Sequence, residues 1–131
     1  MPARPSPHPT EAELEILSVL WRHGPGTVRS VHEILQADRS TTMTTTLKIL
    51  QIMAEKGFVT RTNSRPQLFS AAKAQEKTQS GLLHELVRRA FNGSVRKLLV
   101  RAVEDSTLSN DELIEIQKLI DARRKQKRGG K

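Results

Sequence analysis

One segment of the chain carries most of its structural information: Thr41-Thr42-Met43-Thr44-Thr45-Thr46-Leu47-Lys48-Ile49-Leu50-Gln51-Ile52-Met53-Ala54-Glu55-Lys56-Gly57. At the 100° per residue of an α-helix, its apolar residues fall on one side and its polar residues on the other. The apolar side holds Ile49, Leu50 and Met53 with Thr46; the polar side holds Thr44, Lys48, Gln51 and Glu55. Thr42 is placed to cap the N-terminus, and Gly57 is placed to end the helix in a left-handed conformation. These features predict an amphipathic helix of roughly four turns.

The polar side of this predicted helix is unusual because it is rich in threonine near its start. β-Branched residues lose side-chain freedom in a helix, so they are not the common choice for a solvent-facing surface. A threonine hydroxyl binds phosphates or base edges and its methyl contacts thymine, while lysine and glutamine read the major groove. Two interpretations are therefore open: a DNA-contacting surface, or hydroxyls that only cap the backbone.

The residues after this helix indicate a β-hairpin. Residues 58–61 and 67–70 are short strand-like runs that contain Phe, Val and Leu, and the polar residues 62–66 between them form a turn. Arg61 and Arg65 lie at or near that turn. A helix followed directly by a hairpin with a basic tip is the arrangement of the recognition helix and wing in a winged helix-turn-helix. The combination is more specific than either half.

Two earlier helices complete this predicted domain. Thr10 begins the first, with Glu13 at the spacing of a capping box, and Gly24-Pro25-Gly26 ends it. Thr27 caps the second, and residues 38–41 form the turn into the third. The residues expected to be buried are Leu14, Ile16, Leu17, Leu20 and Trp21 in the first helix, and Val28, Val31, Ile34 and Leu35 in the second.

Composition and periodicity divide the chain into four predicted segments. The four prolines within residues 1–9 predict a flexible arm. Residues 10–72 contain the winged-helix DNA-binding domain, and residues 73–123 show helical periodicity only. Residues 124–131 form a basic tail, which we expect to be solvated and frayed, with attraction of phosphates as the alternative. The predicted fold class is mainly α: a winged helix-turn-helix domain followed by a three-helix dimerisation domain.

The three predicted C-terminal helices are too short to enclose a core of their own. Asn92-Gly93 separates the first from the second, Ser94 caps the second, and Ser109 or Asn110 begins the third. Apolar residues recur at helical spacing in each: Leu82, Leu83, Leu86, Val87, Ala90 and Phe91, then Val95, Leu98, Leu99, Ala102 and Val103, then Leu113, Ile114, Ile116, Leu119 and Ile120. We expect these residues to be buried against a second copy of the chain.

The composition excludes several classes of protein and favours others. The chain has 131 residues and no cysteine, which excludes disulfides, thiol catalysis and cysteine-ligated metals. No apolar run approaches the ~20 residues of a membrane span, so a cytoplasmic protein without membrane contact is expected. Lys and Arg number 22 against 14 Asp and Glu, a net charge of +8 that suits a polyanionic partner.

Patterns of catalysis and metal binding are not visible in the sequence. The histidines lack metal-ligand spacing to one another; they are His8, His23, His32 and His84. No glycine-rich phosphate loop and no nucleophile elbow occurs. Of the three acids Glu11, Glu13 and Glu15, two are explained by the dipole at the start of a helix. We therefore expect no metal, no cofactor and no enzymatic activity.

Residues 44–59 resemble a signature of the penicillinase repressor family, which includes the methicillin-resistance and copper-transport repressors. They read Thr-Thr-Thr-Leu-Lys-Ile-Leu-Gln-Ile-Met-Ala-Glu-Lys-Gly-Phe-Val, and the family signature is Thr-Thr-Val…Leu…Leu…Glu-Lys-Gly-Leu-Val. Residues 10–21 and 27–31 are similar to the first and second helices of that family. The resemblance covers residues 10–122 and implies a homodimer that binds a dyad operator in double-stranded DNA and represses transcription.

The same resemblance bears on individual residues. Thr44, Thr45 and Lys48 match groove-facing positions of the family, whereas Arg61 and Arg65 match its wing only loosely. The full set of predicted DNA-binding residues is Thr42, Thr44, Thr45, Lys48, Gln51, Arg61 and Arg65. Ile52 departs from the family, which usually has Arg or another polar residue there. The C-terminal cysteine site of the copper-responsive branch is also missing from this chain.

The resemblance further implies a way of ending repression. In the branch that answers β-lactams, a sensor-linked protease system leads to cleavage within the dimerisation domain. Alignment places the corresponding bond between Arg101 and Ala102, where relatives have Asn-Phe. We expect release through a protease of different specificity. Release by a ligand or a partner, without cleavage, is the alternative.

Two functions from different classes follow from the sequence. The first is a sequence-specific, homodimeric repressor. The second is a winged-helix module that binds another protein, or binds nucleic acid without sequence preference. A protein-binding surface would expose aromatic residues or a larger apolar patch. On the polar side of the third helix the sequence offers only Leu47 as such a residue.

Overall fold

The computed structural model of the chain describes residues 8–36 and 41–130. Its elements are α1 Glu11–His23, α2 Val28–Leu35, α3 Met43–Lys56, β1 Val59–Arg61, β2 Phe69–Ala71, α4 Gln75–Ala90, α5 Val95–Asp105 and α6 Asn110–Gly130. Three helices followed by an antiparallel hairpin form a winged helix, and three more helices follow it. The predicted fold class is confirmed.

The helix boundaries of the winged helix follow from local side-chain chemistry. The hydroxyls of Thr10, Thr27 and Thr42 each accept a hydrogen bond from the backbone N–H three residues on, at 3.1–3.2 Å. The side chain of Glu13 returns the contact to the N–H of Thr10 at 2.8 Å, which completes the predicted capping box. Gly57 ends α3 with a φ of 86°, a conformation that favours glycine.

The core of the winged helix lies where α1, α2 and α3 meet the hairpin. Its buried apolar residues are Ile16, Leu17, Val19, Leu20, Val31, Leu50, Met53, Val59 and Phe69. Leu35 and Trp21 are only partly buried, and Ile34, which the sequence placed inside, is exposed. Val19 and the polar residues Glu13 and His32 are buried although the sequence did not indicate them.

The hairpin is joined to the loop after α1. Within it, Val59 pairs with Ala71 and Arg61 with Phe69. Gly26 forms an isolated antiparallel bridge to Phe69, with N–H···O distances of 2.8 and 3.0 Å in the two directions. A Cβ atom at position 26 would lie only 2.8 Å from Oγ of Ser30. Because Gly26 lacks that atom, the loop can lie close to Ser30 in α2. The hairpin is thereby held against the helices.

The chain separates into two compact units, one ending at Glu85 and the next beginning at Leu86. The division lies inside α4, whereas the sequence placed the domain boundary between residues 72 and 73. In the first unit, the indole Nε1 of Trp21 donates to the carbonyl of Lys73 at 3.0 Å. The assignment of functions to residues 10–72 and 73–123 stays a prediction.

In the second unit most apolar side chains of one chain face outward. Val95, Leu99 and Val103 in α5 are each about half exposed in the single chain, and their burial against a second copy stays a prediction. α6 continues to Gly130, so the residues of the basic tail through 130 are helical rather than frayed. The predicted turn at residues 38–40 and residues 1–7 of the predicted arm lie outside the described residues.

Candidate nucleic-acid interface

The apolar side of helix α3 packs into the core of the winged helix. Thr46, Leu50 and Met53 are fully buried in the core. The predicted polar residues on the opposite side are all exposed: Thr44, Lys48, Gln51 and Glu55. An exposed row of hydroxyl, ammonium and amide groups on a rigidly packed helix can reach phosphates and base edges. We call Thr44, Lys48 and Gln51 the α3 face.

The hydroxyls of Thr42 and Thr45 contact each other at the start of α3. Their Oγ1 atoms lie 3.0 Å apart, and the Thr42 oxygen also accepts from the N–H of Thr45 at 3.2 Å. Both residues are exposed. The Thr42 oxygen is therefore occupied in capping, and each hydroxyl keeps capacity for at least one more partner. Thr44 is not part of this pair, which leaves it the more available of the predicted threonines.

The apolar surroundings of the α3 face differ from the sequence expectation. Leu47 is half-buried, whereas Met43 and Ile52 are 43% and 38% exposed. Ile52 follows Lys48 by four residues, so the two side chains are neighbours on the helix surface. The expectation that only Leu47 adds apolar surface here is wrong, because Ile52 supplies it instead.

The predicted wing residues are exposed on the hairpin. Arg61 is the last residue of β1, and Arg65 lies in the loop between the strands. The loop is ordered by its own polar groups: the hydroxyls of Thr62 and Ser64 contact each other, and Thr62 accepts from the N–H of Leu68 at 3.0 Å. The wing therefore presents its two guanidinium groups from a hydrogen-bonded loop.

A buried hydrogen bond between α2 and α3 stabilises the start of α3. His32 in α2 is 6% exposed, and its Nδ1 lies 3.0 Å from Oγ1 of Thr46. The same hydroxyl lies 3.4 Å from the carbonyl oxygen of Thr42. Sequence reasoning treated His32 only as a poor metal ligand. Its position four residues after Val28 and three before Leu35 was a sufficient signal that it faces the core.

A second buried polar contact joins the start of α1 to the end of α3. Oε2 of Glu13 lies 2.8 Å from Nζ of Lys56, and Glu13 is 3% exposed. Burial raises the pKa of Glu13, but the ion pair with Lys56 and the hydrogen bonds from Thr10 outweigh it and lower the pKa below its ordinary value. The contact spans 43 residues. Local periodicity therefore could not reveal it.

Neither a metal site nor a membrane-spanning helix occurs in the described part of the chain. No cluster of three or more His, Asp or Glu side chains is arranged to hold a metal ion there. Within the same residues, no helix has the length and apolar character required to cross a bilayer.

Comparison with known proteins gives consistent matches. The family model described as penicillinase repressor matches residues 9–122. A Mycobacterium tuberculosis protein named transcriptional regulator BlaI is 32% identical over 97 residues, which cover 72% of this chain and 70% of the relative. The methicillin resistance regulatory protein MecI of Mammaliicoccus sciuri is 22% identical, covering 86% and 92% of the two chains. The penicillinase repressor of Bacillus licheniformis is 19% identical, covering 93% and 96%.

Proposed function

This chain belongs to the penicillinase repressor family, and on that premise we propose that it represses transcription as a homodimer on a dyad operator. Its relatives carry names that describe transcriptional regulators and repressors. The proposed role is therefore regulatory rather than enzymatic.

The observation that carries the proposal is the division of α3 into two sides. One side is fixed in the core by Leu50 and Met53, while the α3 face is exposed. A helix that is held this way presents its polar side chains in a fixed register, which sequence readout in the major groove requires. We assign base contacts to Thr44, Lys48 and Gln51, and phosphate contacts to the wing arginines Arg61 and Arg65. We assign Thr42 and Thr45, at the N-terminus of α3, to contact with a DNA phosphate.

Homodimer formation is supported by the apolar surface of the second unit. Its exposed large apolar residues are Leu86, Val95, Leu99, Val100, Val103, Leu113, Ile114, Leu119 and Ile120. Leu119 is 70% exposed. Surfaces of this kind mark association sites in soluble proteins. A second copy of the same chain would cover them and bring two α3 faces to two half-sites.

Release of repression is proposed to occur by loss of the dimerisation helices. The bond between Arg101 and Ala102 lies in the second half of α5, and both residues are exposed. Cutting there would divide α5 and remove its contribution to a dimer. Each winged helix would then bind one half-site alone and weakly.

The alternative is a winged helix that binds a protein or binds nucleic acid without sequence preference. The exposed Ile52 and Met43 beside the α3 face favour it, since apolar surface is common at protein interfaces. The two side chains are isolated on a helix surface that is otherwise polar, however. Ile52 is also placed to contact a thymine methyl next to Lys48.

Competition at fixed salt separates the two functions. Genomic fragments bound by the full-length chain are selected, and one is competed against a scrambled duplex of the same composition. A sequence-specific repressor stays bound to the selected fragment at a large excess of competitor. Its affinity for that fragment typically exceeds its affinity for the scrambled duplex by about 10³-fold or more, or roughly 4 kcal/mol. Equal competition by the scrambled duplex would contradict sequence-specific binding.

A further inference from the structure

The positive charge of this protein is concentrated at its C-terminal end. Residues 123–131 contain six Lys and Arg and no acid, so they carry six of the eight net charges. Residues 10–72, which form the winged helix, contain seven basic and six acidic residues and carry a net charge of only +1. Residues 73–122 contain eight of each and are neutral. The winged helix alone therefore attracts a polyanion only weakly at long range.

The basic residues of this end are displayed on a helix. α6 extends to Gly130, and residues 123–129 are exposed. The cations are Arg123, Arg124, Lys125, Lys127 and Arg128. Among the described residues none of these five makes an ion pair with a carboxylate; the guanidinium of Arg123 donates to Oε1 of Gln126 at 3.5 Å. Their charge is thus available to a partner.

The spacing of these cations destabilises α6 when no polyanion is bound. Arg123 and Lys127 are four residues apart, as are Arg124 and Arg128, and like charges at this spacing destabilise a helix. The dipole at a helix C-terminus stabilises cations in the last turn only. It accounts for Lys127 and Arg128 but not for the cluster that begins a turn earlier. A polyanion would relieve the repulsion along the whole segment.

We propose that residues 123–128 of α6 are a sequence-independent contact for the phosphates of duplex DNA, and that they supply most of the long-range attraction to it. The inference rests on the proposed repressor function and adds a division of labour. The α3 face selects the sequence, and the C-terminal cations increase affinity for every duplex alike.

An anionic membrane surface is the less suitable partner. Helices that lie on a bilayer pair their basic side with a row of large apolar residues. Residues 123–130 read Arg-Arg-Lys-Gln-Lys-Arg-Gly-Gly and contain none, while the exposed apolar residues of α6 end at Ile120 and are assigned to the dimer. Phosphates on a rigid duplex need only the cations.

The test uses the full-length chain with four substitutions, Arg124→Gln, Lys125→Gln, Lys127→Gln and Arg128→Gln. A matched control removes the same charge from exposed residues elsewhere: Lys73→Gln, Lys77→Gln, Arg96→Gln and Lys97→Gln. A rescue variant with Arg124→Lys and Arg128→Lys keeps every charge. Affinity for a mixed-sequence duplex and for a selected operator fragment is measured over a range of salt concentrations, and helix content is checked by circular dichroism.

Loss of four phosphate contacts should reduce the slope of log K against log salt by up to about 3.6, because each contact contributes about 0.9. Affinity for both duplexes should fall by the same factor, with their ratio unchanged, while the control and rescue variants keep the wild-type slope. An unchanged slope in the first variant would overturn the inference, as would loss of binding to phosphatidylserine vesicles without any change on DNA. If the wild-type chain fails to prefer its selected fragment, the proposed function fails instead.

Discussion

The imidazole of His32 and the hydroxyl of Thr46 lie 3.0 Å apart in the buried space between α2 and α3. Thr46 is 1% exposed, and its hydroxyl also lies within hydrogen-bonding distance of the carbonyl of Thr42, the N-cap of α3. These contacts tie the second helix to the first turn of the helix that carries the candidate DNA-binding residues. The angle between the two helices of the helix-turn-helix is therefore held by a polar contact as well as by apolar packing.

Thr46→Val should destabilise the winged helix, since valine has the same shape but leaves the buried Nδ1 of His32 without a partner. The expected loss in the free energy of unfolding is about 1–3 kcal/mol. Thr46→Ser keeps the hydroxyl and is the matched control, so its loss should be the smaller. Urea titration measures both, and a valine variant as stable as the wild type would contradict the role of this contact.

Gln51→Ala tests the assignment of base readout to the α3 face. If the amide contacts a base, the variant should lose preference at one base pair in each half-site, at about 1–3 kcal/mol per good contact. Gln117→Ala makes the same change on α6 and should alter nothing. Binding to operator variants in which one base pair at a time is replaced gives the measurement. Equal losses on operator and scrambled duplexes would remove Gln51 from the readout set.

Arg65→Ala tests the assignment of the wing to phosphates. A lost phosphate contact should weaken binding to all sequences together and reduce the salt slope by about 1. Arg29→Ala serves as the comparison. Arg29 is exposed on α2, and its Nε lies 3.9 Å from Oε2 of Glu33. A change in sequence preference after Arg65→Ala would instead indicate that the wing reads bases.

The pH dependence of stability should reveal the contact between Glu13 and Lys56. The pKa of Glu13 is lower in the folded chain than its ordinary value of 4.5, so the unfolded chain binds a proton more readily. The stabilisation is complete above about pH 4.5 and disappears as the pH falls through the folded-state pKa. Glu13→Gln removes this carboxylate, and the free energy of unfolding should then fall less steeply below that pH than in the wild type. Identical acid slopes in urea titrations would contradict it.

Caps and turns were predictable because each depends on a few adjacent residues. Thr10 with Glu13, Thr42 and Gly57 mark helix ends by chemistry that operates within one turn. The exposed α3 face followed from the 100° periodicity alone. The hairpin was also predictable, although its second strand begins at Phe69, two residues later than expected.

Long-range contacts and the C-terminal end were not predictable in the same way. Glu13 meets Lys56 across the domain, whereas the sequence assigned Glu13 only to a capping box and assigned Lys56 no contact. The basic tail from residue 124 was expected to be frayed, but arginine, lysine and glutamine are good helix formers, and α6 continues. Val95, Leu99 and Val103 of α5 were expected to be buried against a second copy of the chain, and their exposure in a single chain leaves that expectation a prediction.

Truncation after Ala90 should separate folding from assembly. The core of the winged helix lies between Ile16 and Phe69, so a chain that retains α1 to α4 should fold with helices and hairpin intact. It lacks α5 and α6 and should be monomeric by sedimentation, with much weaker binding to a two-half-site duplex than the full-length protein. A dimeric truncated chain would place the dimer interface outside α5 and α6.

Cleavage between Arg101 and Ala102 requires α5 to open. Arg101 forms ion pairs with Glu104 and, at 3.6 Å, with Asp105, so one helical turn must unwind before an extended segment can enter a protease. Arg101→Ala removes the side chain that a protease subsite must accept while favouring the helix, so it should slow both cleavage and derepression. Arg96→Ala makes the same change earlier in α5 and should leave both rates unchanged. Blots of cells before and after derepression should show fragments 1–101 and 102–131 in the wild type. An intact chain under full induction would exclude the proteolytic route and leave release by a ligand or a partner.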